Sequence, residues 1–173
     1  AEDAITYTSG YATNLTVIST LMGRGDYVLS DKLNHASIVD GCMMSGAEFR
    51  RFRHNDMDDL EKRLQQIPEG VTKMVVADSV FSMDGDIIDL PRMVELCRKY
   101  GAYLMMDEAH SVGVLGKTGR GIYDYRDGVA LPGPQVEAGS EPVRRVVAVG
   151  SLGIATPVIT RLESAGVDVV RVQ

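Results

Sequence analysis

A three-layer αβα fold, with helices on both faces of a mainly parallel sheet, is what this 173-residue sequence predicts, and three observations carry the prediction. Short β-rich runs alternate with helical patterns from about residue 10 to residue 107, the order that successive βαβ units write. The run Lys73-Met74-Val75-Val76-Ala77-Asp78 is nearly all apolar, as a strand covered on both faces must be. An apolar fraction of 45% with 24% charge suits one ordinary core, so the chain is expected to be one domain or part of one.

The elements follow in order. Tyr11 to Met22 reads as a helix and Tyr27 to Ser30 as a strand. A second helix runs from Ala36-Ser37 to about Ser45-Gly46, before a strand over Glu48 to Arg53. Asn55 and Asp56 are set to cap a helix whose Leu60, Leu64 and Ile67 share one face at the i, i+4, i+7 spacing, and Pro68 and Gly70 stop it. After the apolar strand at 73–78, Pro91 sits at a helix start with Leu90, Val94 and Cys97 as the buried stripe, and Gly101 ends it. Tyr103 to Met106 is the next strand. Residues 1–123 thus form the main αβ part. Residues 124–145, rich in Gly, Pro, Glu and Arg, read as a loop or linker. Residues 146–173 read as a terminal βαβ unit, with a strand ending at Gly150, a helix over Thr156 to Ala165 and a strand over Val167 to Val172.

The bulk charge excludes some functions. A net charge of −6 argues against a nucleic-acid or anionic-membrane surface, which needs a clustered basic excess. The one candidate patch, Arg50-Arg51-Phe52-Arg53-His54, alternates as a solvated strand end does, and His54 is read as structural. Two cysteines, Cys42 and Cys97, are too few for a disulfide framework, and no segment reads as a signal peptide or membrane span. The expected setting is the cytoplasm, and no metal site is read from the sequence.

Chemistry concentrates at Asp107-Glu108-Ala109-His110, where a buried strand runs out. One reading is the acidic motif of a helicase-type NTPase, but its partner loop GxxxxGK[ST] is approached only by Ser111-Val112-Gly113-Val114-Leu115-Gly116-Lys117-Thr118, which begins with Ser and follows the acids. The other reading places Asp107 beneath a heterocyclic cofactor whose ring nitrogen it keeps protonated, because a pyridinium ring is the better electron sink.

Four segments occur in order, the last of them this motif: Ser9-Gly10-Tyr11-Ala12-Thr13-Asn14, Asn34-His35-Ala36-Ser37-Ile38-Val39-Asp40-Gly41, Val80-Phe81-Ser82-Met83-Asp84-Gly85-Asp86 and Asp107-Glu108-Ala109-His110-Ser111-Val112-Gly113. Gly116-Lys117-Thr118-Gly119-Arg120-Gly121 follows them. Together they resemble the α-oxoamine synthases, the pyridoxal-phosphate-dependent acyltransferases that include serine palmitoyltransferase, 8-amino-7-oxononanoate synthase and 5-aminolevulinate synthase. Arg51-Phe52-Arg53-His54-Asn55 with Gly41-Cys42 looks most like the first of these.

The resemblance implies the large domain of a fold-type-I pyridoxal-phosphate transferase, incomplete at both ends, in which an amino acid condenses with an acyl-CoA or acyl-carrier-protein thioester with loss of CO2. It implies that His35 stacks on the ring of pyridoxal 5'-phosphate, Asp107 pairs with the ring nitrogen and His110 hydrogen-bonds the phenolic oxygen. Ser82 would lie beside the ring, Gly10 and Tyr11 would offer backbone N–H groups to the phosphate, and Ser151 completes the cofactor-binding set. It also implies a homodimer or a part of a larger polypeptide. Other readings stay open residue by residue: His35 as a helix cap, Ser82 as a turn residue, Gly10 as relief in a tight turn and Tyr11 as a packing anchor.

The match fails at the position that matters most to the chemistry, and the interval from Asp107 to it is longer than the family usually has. The family's Schiff-base lysine follows the next strand, where Arg145-Val146-Val147-Ala148-Val149-Gly150-Ser151-Leu152-Gly153 leads to Ile154, and the only lysine after Asp107 is Lys117. The chain alone is therefore expected to bind the cofactor weakly and noncovalently and to be inactive. A noncatalytic scaffold or assembly domain of the same descent is the alternative.

Overall fold

The computed structural model describes residues 4–116, 118–123, 145–149 and 168–172. The chain divides into two compact units, Ala1–Leu131 and Pro132–Gln173. In the first, α1 (Gly10–Leu21), β1 (Tyr27–Asp31), α2 (Ala36–Ser45), β2 (Glu48–Phe52), α3 (Met57–Gln65), β3 (Lys73–Asp78), α4 (Leu90–Tyr100) and β4 (Tyr103–Asp107) follow one another. The strands form one sheet in the order β2-β1-β3-β4, and every pairing is parallel.

Alternation along the strands builds the three layers. Val28, Met74 and Val76 pack with Ile18 and Met22 from the α1 end and with Ile38 and Cys42 of α2. Their neighbours Leu29, Val75 and Ala77 pack in a second cluster with Leu60 and Leu64 of α3 and Met93 and Leu96 of α4. Each fully buried Val, Leu, Ile or Met side chain among them contributes roughly 1.5–3 kcal/mol. All six residues of β3 are buried, as the run of apolar letters predicts for a central strand.

The connections place the crevice. The step from β1 to β2 runs one way along the sheet and the step from β3 to β4 runs the other, so right-handed crossovers put α2 and α4 on opposite faces. The strand order reverses between β1 and β3, and a crevice opens there at the carboxyl ends of the strands.

Side chains set the helix ends. Ser9, His35, Asp56 and Asp89 are N-caps whose side chains accept from Ala12, Ser37, Asp59 and Arg92 N–H. Gly101 stops α4 in the left-handed region at φ 62°.

Three local expectations change. Asn55 is no cap: it takes a left-handed φ of 50°, and its amide clamps Ile87 O and Asp89 N–H at 3.0 and 2.9 Å. Ile67 lies beyond the end of α3, yet is buried. On α4, Met93 and Leu96 are fully buried while Val94 is only partly so, because i, i+3 and i, i+4 spacings both fit the letters and the core selects the former.

The basic run is engaged within the protein. Arg50 lies 4.8 Å from the Tyr27 ring centre, Arg51 donates to Lys32 O at 3.0 Å, and Arg53 pairs with Asp56 at 2.7 Å. In the second unit, β5 (Arg145–Val149) pairs in parallel with β6 (Asp168–Val172). The helix expected at Thr156–Ala165, the loop at 124–144 and the turn holding Ser151 and Ile154 lie outside the described residues.

Candidate active site

The carboxyl ends of β1, β3 and β4 and the first turns of α1 surround the crevice. Parallel register sets Asp78 opposite Asp107 at the ends of β3 and β4. Asp107, half-buried, accepts Ala109 N–H on Oδ1 at 2.9 Å and the Asn14 amide on Oδ2 at 2.7 Å. A carboxylate has about four acceptor positions, so two bonds leave capacity for a further N–H donor.

His35 is tied to the same network. Its ring Nδ1 lies 2.7 Å from Ser37 Oγ, which lies 2.9 Å from the Asn14 amide nitrogen. Its backbone N–H donates to Asp78 Oδ2 at 2.8 Å. The residue is both the cap of α2 and a member of the crevice, so the two readings of it are compatible.

Asp78 is buried. Burial raises its carboxyl above the usual carboxylate range; the His35 N–H opposes this and the Asp107 charge adds to it. Asn34 holds this strand end, donating to Val76 O at 2.9 Å and accepting Asp78 N–H at 2.9 Å. Ser79 donates to Asp107 O through both N–H and hydroxyl, at 2.9 and 2.8 Å, and so joins β3 to β4 beyond the last ladder pair.

The other predicted residues among those described, Gly10, Tyr11, Ser82 and His110, are exposed. His110 is exposed and acts electrostatically on Asp78. Ser82 is exposed in a turn closed by Gly85 N–H to Phe81 O at 2.8 Å and Phe81 N–H to Asp86 O at 3.0 Å. At the mouth of α1, Ser9 takes the Ala12 and Thr13 N–H groups, which leaves Gly10 and Tyr11 N–H at the helix end. No atom stands within 4 Å of where a Gly10 Cβ would be, so a ligand has room to approach that backbone. The Tyr11 hydroxyl donates to Asp40 of α2, and that bond raises its pKa, so the ring serves as an anchor while the amide stays available. Ser151 lies outside the described residues.

The second acid of the motif turns elsewhere. Glu108 Oε2 accepts the Ser111 hydroxyl at 2.8 Å and Ile122 N–H at 2.9 Å, pinning the loop after β4. Residues 111–116 and 118–120 form turns and a bridge, followed among the described residues by a short 3-10 helix at Gly121–Tyr123. A phosphate loop that opens an α-helix, with paired acids beside it, is the geometry an NTPase needs, and these residues do not adopt it.

Asn14, Ser37, Asp78 and Ser79 are site residues that sequence reasoning did not single out. Asn14 carried a weak signal, standing one helical turn before the buried Ile18 on the same face of α1.

Comparison with known proteins agrees with this fold. The family described as aminotransferase class I and II matches residues 1–153. The 8-amino-7-oxononanoate synthase of Geobacter sulfurreducens is 55% identical over 120 residues, which are 69% of this chain and 31% of that protein. Serine palmitoyltransferase of Sphingomonas paucimobilis is 50% identical over 121 residues, 70% of this chain and 29% of that protein. A structure of the S. paucimobilis serine palmitoyltransferase with a bound PLP-myriocin aldimine superposes with a TM-score of 0.69 at 50% identity, covering 70% of this chain and 31% of that one. The Sphingomonas wittichii serine palmitoyltransferase gives 0.70 at 48% identity, covering 72% and 31%. The chain spans about a third of the length of these relatives.

Proposed function

Because the chain belongs to the class I and II aminotransferase family, we propose that it is the cofactor-holding part of a pyridoxal-phosphate-dependent acyltransferase of the α-oxoamine synthase type. The observation that carries the reading is Asp107, held at a strand end by Asn14 and Ala109 N–H with acceptor capacity to spare and joined to His35 by hydrogen bonds. That donor set fits a protonated pyridine nitrogen, which needs a fixed carboxylate, and the open backbone at Gly10 fits a phosphate.

Each residue then has a task. Asp107 holds a proton on the ring nitrogen, and Asn14 and Ala109 keep its carboxylate oriented. His35 covers one ring face. His110 donates to the phenolic oxygen, Gly10 and Tyr11 N–H bind the phosphate with the α1 dipole behind them, and Ser82 closes the side of the site. Ser151 belongs to the same set. Pyridoxal phosphate, when bound, supplies an electron sink for a carbanion at the amino-acid α-carbon. The substrates of the whole protein are an amino acid and an acyl-CoA or acyl-carrier-protein thioester, condensed with loss of CO2. The same reading makes it a homodimer and places it in the cytoplasm, the latter in keeping with its two free, buried cysteines. Among the described residues no helix is long and apolar enough to cross a membrane.

One observation favours a second reading, a noncatalytic scaffold of the same descent: Ile154 stands where the family's lysine is expected, and it cannot form a covalent link or move a proton. Titration with pyridoxal phosphate, followed by induced circular dichroism in the cofactor band, tests both. Saturable binding that borohydride does not fix to the protein, weakened at least tenfold in Asp107→Asn, is the expected result. Ile154→Lys should make the adduct reducible. No binding to the parent chain, or equal binding to Asp107→Asn, rejects the cofactor site.

A further inference from the structure

We propose that Asn14 and Ser37 are positioning residues that set the tautomer of His35, holding its ring proton on Nε2. The starting point is Asn14, whose side chain is buried where α1 passes over α2. One group of its amide lies 2.7 Å from Asp107 Oδ2. A carboxylate oxygen only accepts, so that group is the NH2, and the orientation of the amide is fixed. Its second proton is directed at Ser37 Oγ, 2.9 Å away.

A serine hydroxyl that accepts at this point has one proton of its own to place. The neighbour that can take it is His35 Nδ1, at 2.7 Å. The Ser37 backbone N–H is directed at the same nitrogen, at 3.2 Å. A backbone N–H has no lone pair to offer, so Nδ1 must present its own and cannot carry a proton. Two independent donors therefore converge on Nδ1, and the chain has a single direction: Asn14 donates to Asp107 on one side and to Ser37 on the other, and Ser37 donates to His35. Burial of the Asn14–Ser37 pair makes any reversed arrangement costly, since it leaves a donor or acceptor unmade away from water.

The functional meaning rests on the cofactor reading above; the geometry does not. A ring whose nitrogen Asp107 keeps protonated is cationic at that edge, and an imidazolium lying on its face would set like charges together and disfavour the protonated form. A neutral His35 covers the ring without that repulsion. The carboxylate that charges the ring and the histidine that must stay uncharged are coupled through Asn14, so one polar side chain serves both.

The test uses this chain with 15N-labelled histidine rings and long-range 1H–15N correlation at a pH about two units above the free imidazole value of about 6.5. His35→Gln identifies the signal by its loss. The expected parent pattern is a pyridine-like Nδ1 and a pyrrole-like Nε2. In Ser37→Ala, and in Asn14→Leu if it folds, the ratio of the Nε2–H to the Nδ1–H form should drop about fivefold, as loss of one hydrogen bond implies. Ser37→Thr, which keeps the hydroxyl, should retain the parent ratio. A proton on Nδ1 in the parent, or an unchanged ratio in Ser37→Ala, overturns the proposal. Pyridoxal phosphate is then added to the same samples: the predicted ring pattern without any binding upholds the relay and refutes the cofactor reading alone.

Discussion

Replacing His54 with Ala should destabilise the fold strongly near pH 6 and much less near pH 10. The His54 ring lies between two carboxylates, with Nδ1 3.0 Å from Asp31 Oδ1 and Nε2 2.6 Å from Asp86 Oδ2. Carboxylates only accept, so both nitrogens carry protons and the bridging form is the imidazolium. The ring edge also meets Phe81, 4.4 Å between centroids at 84°. Asp31 is fully buried and keeps two backbone donors, Leu33 and Asn55 N–H, when the histidine is gone.

The charge-assisted bond to Asp31 contributes roughly 1.5–3 kcal/mol. The Asp86 pair is more than a third exposed on the acid side and adds only about 0–1 kcal/mol. Edge-to-face contact with Phe81 contributes about 0.5–1.5 kcal/mol. The loss in His54→Ala at pH 6 is therefore about 2–5 kcal/mol, chiefly the Asp31 bond. Burial pulls the His54 pKa down, but hydrogen bonds to Asp31 and Asp86 outweigh it, and the net shift is upward. A raised folded-state pKa means that this stabilisation is complete below the unfolded value of about 6.5 and fades as pH rises through the folded value. Urea unfolding of parent and variant by far-ultraviolet circular dichroism, at pH steps from 6 to 10, measures it. A difference that is constant across that range, or that grows with pH, refutes the ion-bridge account.

Two further outcomes are expected. Burial pushes the Cys42 and Cys97 thiols up to about 12, so neither should react with an aromatic disulfide reagent at pH 8 until urea unfolds the chain; prompt reaction of either contradicts the packing. In Gly41→Ala the new Cβ would meet Asn14 O at 3.0 Å and Ile18 Cδ1 at 3.1 Å, so overpacking of about 1–3 kcal/mol outweighs a helix-propensity gain of about 1 kcal/mol and Tm falls, whereas a rise in Tm would disprove the close approach of α1 and α2.

Much of this was written in the local pattern. Lys73–Asp78 reads as a doubly covered strand because no polar letter interrupts its middle, and all of it is buried. Asp56 announces its helix because a short acidic side chain ahead of an apolar period can cap one. Asp107 and His35 were legible through their surroundings in the motif. Asn14 was not, since its decisive bond joins residues 93 apart in sequence and no periodicity encodes that contact. Asp78 was hidden for a related reason: the last letter of an apolar strand gives no hint that the neighbouring strand ends in register on another acid. Glu108 was read with Asp107 as a pair, and only the fold of the loop shows its carboxylate engaged by Ser111 and Ile122.

The central claim is that Asp107 holds a protonated pyridine ring. The most direct measurement is the 15N chemical shift of the ring nitrogen of labelled pyridoxal phosphate, bound to this chain under saturating conditions and compared with the Asp107→Asn variant. The account predicts a protonated, pyridinium-type nitrogen in the parent, at a pH where the free cofactor ring has lost that proton, and an unprotonated one in the variant. A bound ring that is unprotonated in the parent, or protonated equally in both, contradicts it.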